Sequence, residues 1–358
     1  MVTGNEHDAI GANRPGGRGG AVKNAKMKDV AALAGVSPKT VSNVINGFVH
    51  VAPGTRERVE QAIRTLGYRP NVSARNLRRG RTGMIGLVLP ELNIPYFTEL
   101  AEQFLAVAEE HGRTLLIEQT LGDRAREAAV IDGLGDQVVD GIVLSPLGLH
   151  GQALAERVDA MPLVLIGERP SGGLTDHVAI DNVSAAREAV AHLIAGGRRR
   201  IAAIGAQLEP DVGTPLLRMA GYHQALRDAG LPVDERLEIE TARYHLADGA
   251  EAMRTLLDAG DPPDAVFCFN DALALGALRT LYERRVRVPQ DIAVMGFDDV
   301  DAGRYAIPSL SSVAPDKAAV ARQAVQLLLD RIEAPDTAAR EIVIGHQLRV
   351  RESSAITR

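Results

Sequence analysis

From Met84 onward the chain repeats one pattern, and that pattern leaves few folds open. Apolar runs of four to six residues alternate with amphipathic stretches of helical period. The runs are "MIGLVL", "TLLI", "GIVL", "LVLI", "IAAIG", "AVFCF" and "IAVMGF", and the helical stretches lie near 97–111, 184–195, 215–229, 247–258, 271–285 and 316–332. Strands that are apolar at every position bury both faces, as parallel strands crossed over by helices do. About 275 residues is large for one such sheet. Two doubly wound subdomains with a cleft between them are expected, with ligand bound beyond the carboxyl ends of the strands.

Composition narrows the function. The 46% apolar content is that of a globular protein. No apolar run approaches the ~18 residues of a membrane span, and the first residues lack the apolar core of a secretory signal. A cytoplasmic protein with no membrane partner is expected. The single cysteine, Cys268, excludes an intrachain disulfide and a cysteine-cluster zinc site, and its apolar run makes it a buried structural thiol. The nine histidines are scattered without metal spacing, so no metal or cofactor is implied. The dinucleotide, P-loop, zincin and nucleophile-elbow motifs are absent, which speaks against an enzyme.

The net charge of −6 conceals an asymmetry. Residues 23–81 carry twelve Lys and Arg against Asp29, Glu57 and Glu60, a net of +9. Residues 82–358 carry 26 Lys and Arg against 41 Asp and Glu, a net of −15, and residues 1–22 are neutral. A basic head on an acidic body points to a polyanion as partner of the head alone. Residues 1–24, rich in glycine, are expected to be a disordered tail.

Residues 25–70 should form a small all-α head. Its first helix spans about 27–34, with Met27, Val30, Ala31 and Ala34 inward, and Gly35 ends it. The second spans about 38–46, with Ser37 as N-cap, Pro38 at the first helical position and Val41, Val44 and Ile45 inward. The third spans about 53–66, with Val59, Ile63 and Leu66 inward. Two short helices joined by a glycine turn in a basic segment match a helix-turn-helix, or a plain structural hairpin. The outer face of the second helix carries Pro38, Lys39, Ser42 and Asn43.

"MKDVAALAGVSPKTVSNVING" followed by "TRERVEQAIRTLGYRPNVSARNL" resembles the lactose-repressor/galactose-repressor (LacI/GalR) family of bacterial transcription regulators. The resemblance continues through "IGLVLPELNIPYFTEL", "LLRMAGYHQAL", "FCFNDALALGALRTL", "IAVMGFDD" and "VRESS", covering most of residues 27–352. It implies a helix-turn-helix head and a hinge helix with linker at 71–82. It also implies an effector-binding and dimerisation body over 83–358, two subdomains of periplasmic-binding-protein type. The partners implied are double-stranded operator DNA, a second copy of the chain and a small effector that controls operator affinity. A dimer is expected, because no heptad helix follows "LRVRESS". By the same resemblance Ser37, Pro38, Lys39, Thr40, Ser42, Asn43 and Asn46 would meet DNA through the head. Asn71, Ala74, Arg75, Leu77 and Arg78 would do so through the hinge, with Leu77 wedged between base pairs. Two positions depart from the family pattern: Asn43 stands where an arginine is usual, and Ala52 where a capping serine is usual.

Several polar sites in the body fall just after expected strands: Asp181-Asn182, Asn270-Asp271 and Asp298-Asp299, with Tyr96-Phe97 in the loop after "IGLVL". Taken singly, Asp181 and Asn270 are equally readable as helix caps and the aromatics as core. Arg218 lies near a helix start marked by Thr214 and Pro215, where the helix dipole disfavours a cation, so it needs a carboxylate or ligand partner. The resemblance makes Phe97, Asp181, Arg218, Asn270 and Asp298 effector contacts. Tyr96 lies beside them, and Tyr244 is a stacking aromatic. Carboxylates, an amide and aromatic faces suit a sugar, with a purine or nucleoside as the alternative. A solute-binding protein for transport is a further alternative that the basic head disfavours.

Overall fold

The computed structural model describes residues 25–45, 48, 50–68, 81–135, 138–149, 151–158, 161–168, 173–207 and 213–355. The chain divides into two compact units, Met1–Arg78 and Arg79–Arg358.

In the first unit, helices α1 (Met27–Ala34), α2 (Pro38–Ile45) and α3 (Pro53–Leu66) enclose one small core. Val30, Ala31, Ala34, Val41, Val44, Val59 and Ala62 fill it. Gly35 ends α1 at φ 66°, a left-handed conformation that glycine adopts without steric cost. Leu66, expected inward, is instead 36% exposed, and Tyr68 takes its place in the core at 8%. The cause is the end of α3. Gly67 turns left-handed there, and the Tyr68 N–H donates to the Ile63 carbonyl at 3.0 Å, which swings Tyr68 back onto the helix face. The hinge at 71–79 lies outside the described residues.

The second unit holds two six-stranded sheets. The first contains β1 (Met84–Leu89), β2 (Thr114–Gln119), β3 (Ile142–Leu144), β4 (Leu163–Ile166), β5 (Asp176–Ile180) and β11 (Glu341–Ile344), in the order β11-β5-β4-β3-β1-β2, all parallel. Helices α4 (Pro95–Glu110), α5 (Arg124–Gly135) and α6 (Gly151–Val158) follow β1, β2 and β3. The second sheet contains β6 (Ile201–Ala206), β7 (Glu238–Glu240), β8 (Ala265–Cys268), β9 (Ala293–Phe297), β10 (Ser311–Pro315) and β12 (His346–Arg349), in the order β12-β10-β9-β8-β6-β7. Helices α7 (Asn182–Ala195), α8 (Thr214–Asp228), α9 (Leu246–Asp258), α10 (Asp271–Glu283) and the short α11 (Asp301–Arg304) belong with this second sheet. Helix α12 (Lys317–Glu333) returns to pack on the first.

The parallel expectation meets one exception: β12 runs antiparallel to β10. Only Gly345 separates β11 from β12, so the chain steps between sheets without a crossover helix. The chain passes between the two subdomains near 181, 316 and 345. The central strands are buried along their length, β3, β4, β6, β8 and β9 at every position. Each sheet thus has a dry core on both faces, and the polar residues at its strand ends are left to face the cleft.

Candidate functional site

The head presents α2. The Thr40 N–H donates to Ser37 Oγ at 3.1 Å, so Ser37 caps the helix as its position before Pro38 implies. Ser37, Pro38 and Lys39 are exposed, and Thr40, Ser42 and Asn43 are half-buried. Spacings of one, four and five residues place Pro38, Lys39, Ser42 and Asn43 along one outer stripe, opposite buried Val41 and Val44. Ala52, at the start of α3, provides no side-chain cap, and Pro53 alone marks that start. Asn46, Asn71, Ala74, Arg75, Leu77 and Arg78 lie outside the described residues.

A cavity of 500 Å³ opens in the second unit where the strands of both sheets end. Tyr96 and Phe97 reach it from the first turn of α4, and their rings meet edge to face at 5.3 Å. Tyr244 reaches it from the segment before α9, its hydroxyl donating to the Gly205 carbonyl at 2.6 Å. Asn270 lines it too, but its side chain is engaged twice. Oδ1 caps α10 by accepting from the Leu273 N–H at 2.8 Å, and Nδ2 donates to the Tyr244 carbonyl at 3.0 Å. Capping and lining are here one arrangement, since a cap residue sits by construction at a strand's carboxyl end.

Asp181 is different. It caps α7 through the Ser184 N–H at 2.9 Å, is exposed, and is not among the residues lining the cavity. Asn182, the next residue, is 1% exposed and does not line the cavity either.

Arg218 and Asp298 form the centre of the site. Arg218 is 6% exposed inside α8, so its charge needs compensation on several sides. Nε donates to Asn182 Oδ1 at 2.7 Å, Nη1 donates to the Phe269 carbonyl, and the guanidinium lies 3.4 Å from the Phe297 ring centroid. Nη2 faces Asp298 Oδ1 at 3.8 Å, an ion pair too long for a direct hydrogen bond.

Asp298 follows β9 at φ 109°, a strained conformation for a non-glycine residue. Its neighbours hold it there. Its N–H donates to Val313 O at 2.8 Å, and Lys317 Nζ donates to its carbonyl at 2.5 Å. The next residue, Asp299, turns away to pair with Arg351 at 2.6 Å and Arg304 at 3.3 Å. The closing "VRESS" segment thereby anchors the strained turn: Arg351 also donates to Leu310 O, and Ser353 to Val294 O.

Electrostatics follow burial. Desolvation pushes the Asp298 carboxyl up to about 6, against the pull of Arg218 and Lys317. It raises the Tyr96 and Tyr244 phenols as well, keeping both as hydrogen-bond donors. Glu168 and Ser145 also line the cavity, as do Gln207 and Glu91. Burial pushes the Glu168 carboxyl up to about 7, although Arg218, Asn182 and the Ile180 backbone favour its charged form. The strand-end rule that marked Asn270 and Asp298 marks these residues too. Ser145 follows "GIVL", Glu168 follows "LVLIG" and Gln207 follows "IAAIGA". Across the cleft, His245 Nε2 lies 2.7 Å from Glu91 Oε2, and the Asp301 N–H donates to Glu99 at 2.7 Å. Cys268 is buried in β8, and burial raises its thiol, which leaves it a structural residue. Among the described residues no group of three or more His, Cys, Asp or Glu is placed to hold a metal, and no helix is long and apolar enough to cross a membrane.

Comparison with known proteins fits both units. Residues 26–71 match the family model for bacterial regulatory proteins of the lacI family, and residues 190–354 match that for a periplasmic binding protein-like domain. The chain is 34% identical over 333 residues to the HTH-type transcriptional repressor CytR of Escherichia coli (strain K12), covering 92% of this chain and 96% of that protein. It is similar to the structure of a transcriptional regulator CelR–cellobiose complex, with TM-score 0.68, 35% identity, and 92% of this chain and 100% of that one covered. It is also similar to the lac repressor dimer bound to operator and the anti-inducer ONPF, with TM-score 0.79, 25% identity, and 93% and 99% covered. The outer stripe of α2, the strand-end cavity and a relative matched over nearly its whole length agree: the chain is a DNA-binding transcriptional regulator and belongs to the lacI family of bacterial regulatory proteins.

Proposed function

We propose that the protein is a cytoplasmic repressor that binds a palindromic operator as a homodimer and responds to a small sugar held in the body's cleft. The observation that carries the reading is the buried Arg218–Asp298 pair, 3.8 Å apart and lining the cavity. A gap of that length between a guanidinium and a carboxylate accommodates a hydroxyl that donates to one and accepts from the other. Around it stand Tyr96, Phe97 and Tyr244, whose faces suit the apolar side of a sugar ring, and the amide of Asn270. Ser37, Pro38, Lys39, Thr40, Ser42, Asn43 and Asn46 are the head's DNA contacts. Asn71, Ala74, Arg75, Leu77 and Arg78 add those of a hinge at 71–82. Asn43 would favour adenine where an arginine favours guanine, so the operator departs from the family's usual sequence at that base.

The lac repressor dimer seen on operator and the CelR regulator seen with cellobiose support a regulator that joins DNA to a sugar, and not an enzyme. The test is fluorescence anisotropy with DNA from upstream of the protein's own gene. Tight, sequence-selective binding that is lost on deletion of residues 25–70 is expected. DNA binding that survives the deletion would refute the assignment of the head.

A further inference from the structure

The charges around the cavity are unbalanced in one direction. Among the described residues three carboxylates line it, those of Glu91, Glu168 and Asp298, against two cations, Arg218 and Arg243. Arg243 is exposed at the rim, where water screens it. Arg218 is buried, but Nε and Nη1 are committed to Asn182 and Phe269, and Nη2 faces Asp298. Among the described residues no concentration of free cationic donors resembles the Arg cluster that a phosphate group needs.

Glu168 is the carboxylate placed to exploit this. It follows β4 in the first subdomain, while Arg218 and Asp298 belong to the second, so a ligand between them is contacted from both sides. The residue before it is held in place. Gly167, at φ 93°, precedes it, and the Gly167 carbonyl accepts from His177 Nε2 on β5 at 2.7 Å. Asn182, buried at the crossing between subdomains, accepts from Arg218 Nε at 2.7 Å and is a hydrogen-bond partner that favours the charged form of Glu168, so it links the two behind the wall.

Resting on the reading of the cleft as an effector site, we propose that Glu168 is a specificity-determining residue. Its carboxylate accepts hydroxyl hydrogens from an uncharged polyhydroxylated effector and turns away the phosphorylated form of the same compound. A carboxylate welcomes a hydroxyl donor, whereas a phosphate brought beside it adds like charge to a low-dielectric site and leaves acceptors facing acceptors.

The experiment is isothermal titration calorimetry at pH 8, where the raised Glu168 carboxyl is ionised, on the full-length protein with ribose, glucose and cellobiose, each beside its phosphate ester. The wild type is compared with Glu168→Gln, Glu168→Asp and Asp298→Asn, all checked for folding by circular dichroism. At least one neutral sugar should bind the wild type, at least tenfold more tightly than its ester. Glu168→Gln should lose about ten- to hundredfold in affinity for that sugar and close the gap to the ester. Glu168→Asp, which keeps the charge, should retain the gap. An unchanged gap in Glu168→Gln, with sugar binding weakened in Asp298→Asn, would overturn the role of Glu168 and leave the site intact. An ester that binds the wild type as well as its sugar would overturn it as well. If no neutral sugar binds, or if Asp298→Asn binds as the wild type does, the effector reading itself fails and this inference falls with it.

Discussion

At the scale of single residues, the site works by holding charges where solvent would not hold them. Arg218 is compensated by an aromatic face, an amide, a carbonyl and a carboxylate, and each contact fixes its orientation further. Arg218→Ala and Asp298→Asn should each weaken effector binding by about ten- to hundredfold, the worth of a charge-assisted hydrogen bond, while operator binding persists. Calorimetry with effector and anisotropy with operator separate the two effects. Burial raises both Glu168 and Asp298, to about 7 and about 6. Between about pH 4 and 7 the folded state therefore keeps protons that the unfolded chain has released. That contribution to stability is fully present at low pH and is lost as pH rises through the window. Thermal unfolding of the effector-free protein should show Glu168→Gln gaining on the wild type from pH 5 to 8, by about 1–3 kcal/mol at the upper end. Asp181, Arg218 and Asn182 face Glu168 in both proteins, so the difference reports Glu168 alone.

At the scale of elements, helix starts carry much of the information. Ser37, Asn270 and Asp181 all cap helices, and their sequence context shows it. That same clarity explains what was misread. A cap at a strand's carboxyl end is also a candidate ligand contact, and sequence does not reveal whether it lines the cavity, as Asn270 does, or does not, as with Asp181. Six of the seven apolar runs were legible as strands because both of their faces are buried, and the seventh, in the half-exposed edge strand β2, was legible from its apolar residues alone. β7, β11 and β12 are short, half-exposed edge strands with little apolar signal, and they passed unseen. Glu168 was missed although the strand-end rule reaches it, because its weight comes from Asn182 and Arg218, which are distant in sequence. Ala52, by contrast, was read correctly as a missing cap. Ala52→Ser should stabilise the head by about 0.5–2 kcal/mol, seen as a higher denaturant midpoint for the head's transition and unaltered operator sequence preference.

At the scale of the whole molecule, a basic head and an acidic body divide the work. The head's affinity for DNA should fall steeply with salt. With about 6–10 phosphate contacts, affinity drops ~10³–10⁵-fold between 50 and 200 mM salt. Lys39→Ala should reduce affinity for all sequences and flatten that salt slope, whereas Asn43→Ala should relax selectivity at one base. Regulation needs more than two sites in one chain. The effector must bind the operator-competent and operator-incompetent states unequally, and linkage then makes the effect reciprocal. The measurement that addresses this most directly is titration of a cleft-binding sugar into the protein with and without saturating operator DNA. The two dissociation constants should differ, and the same factor should separate the operator affinities measured with and without the sugar. Identical constants would contradict the account, leaving a DNA-binding protein whose cleft regulates nothing.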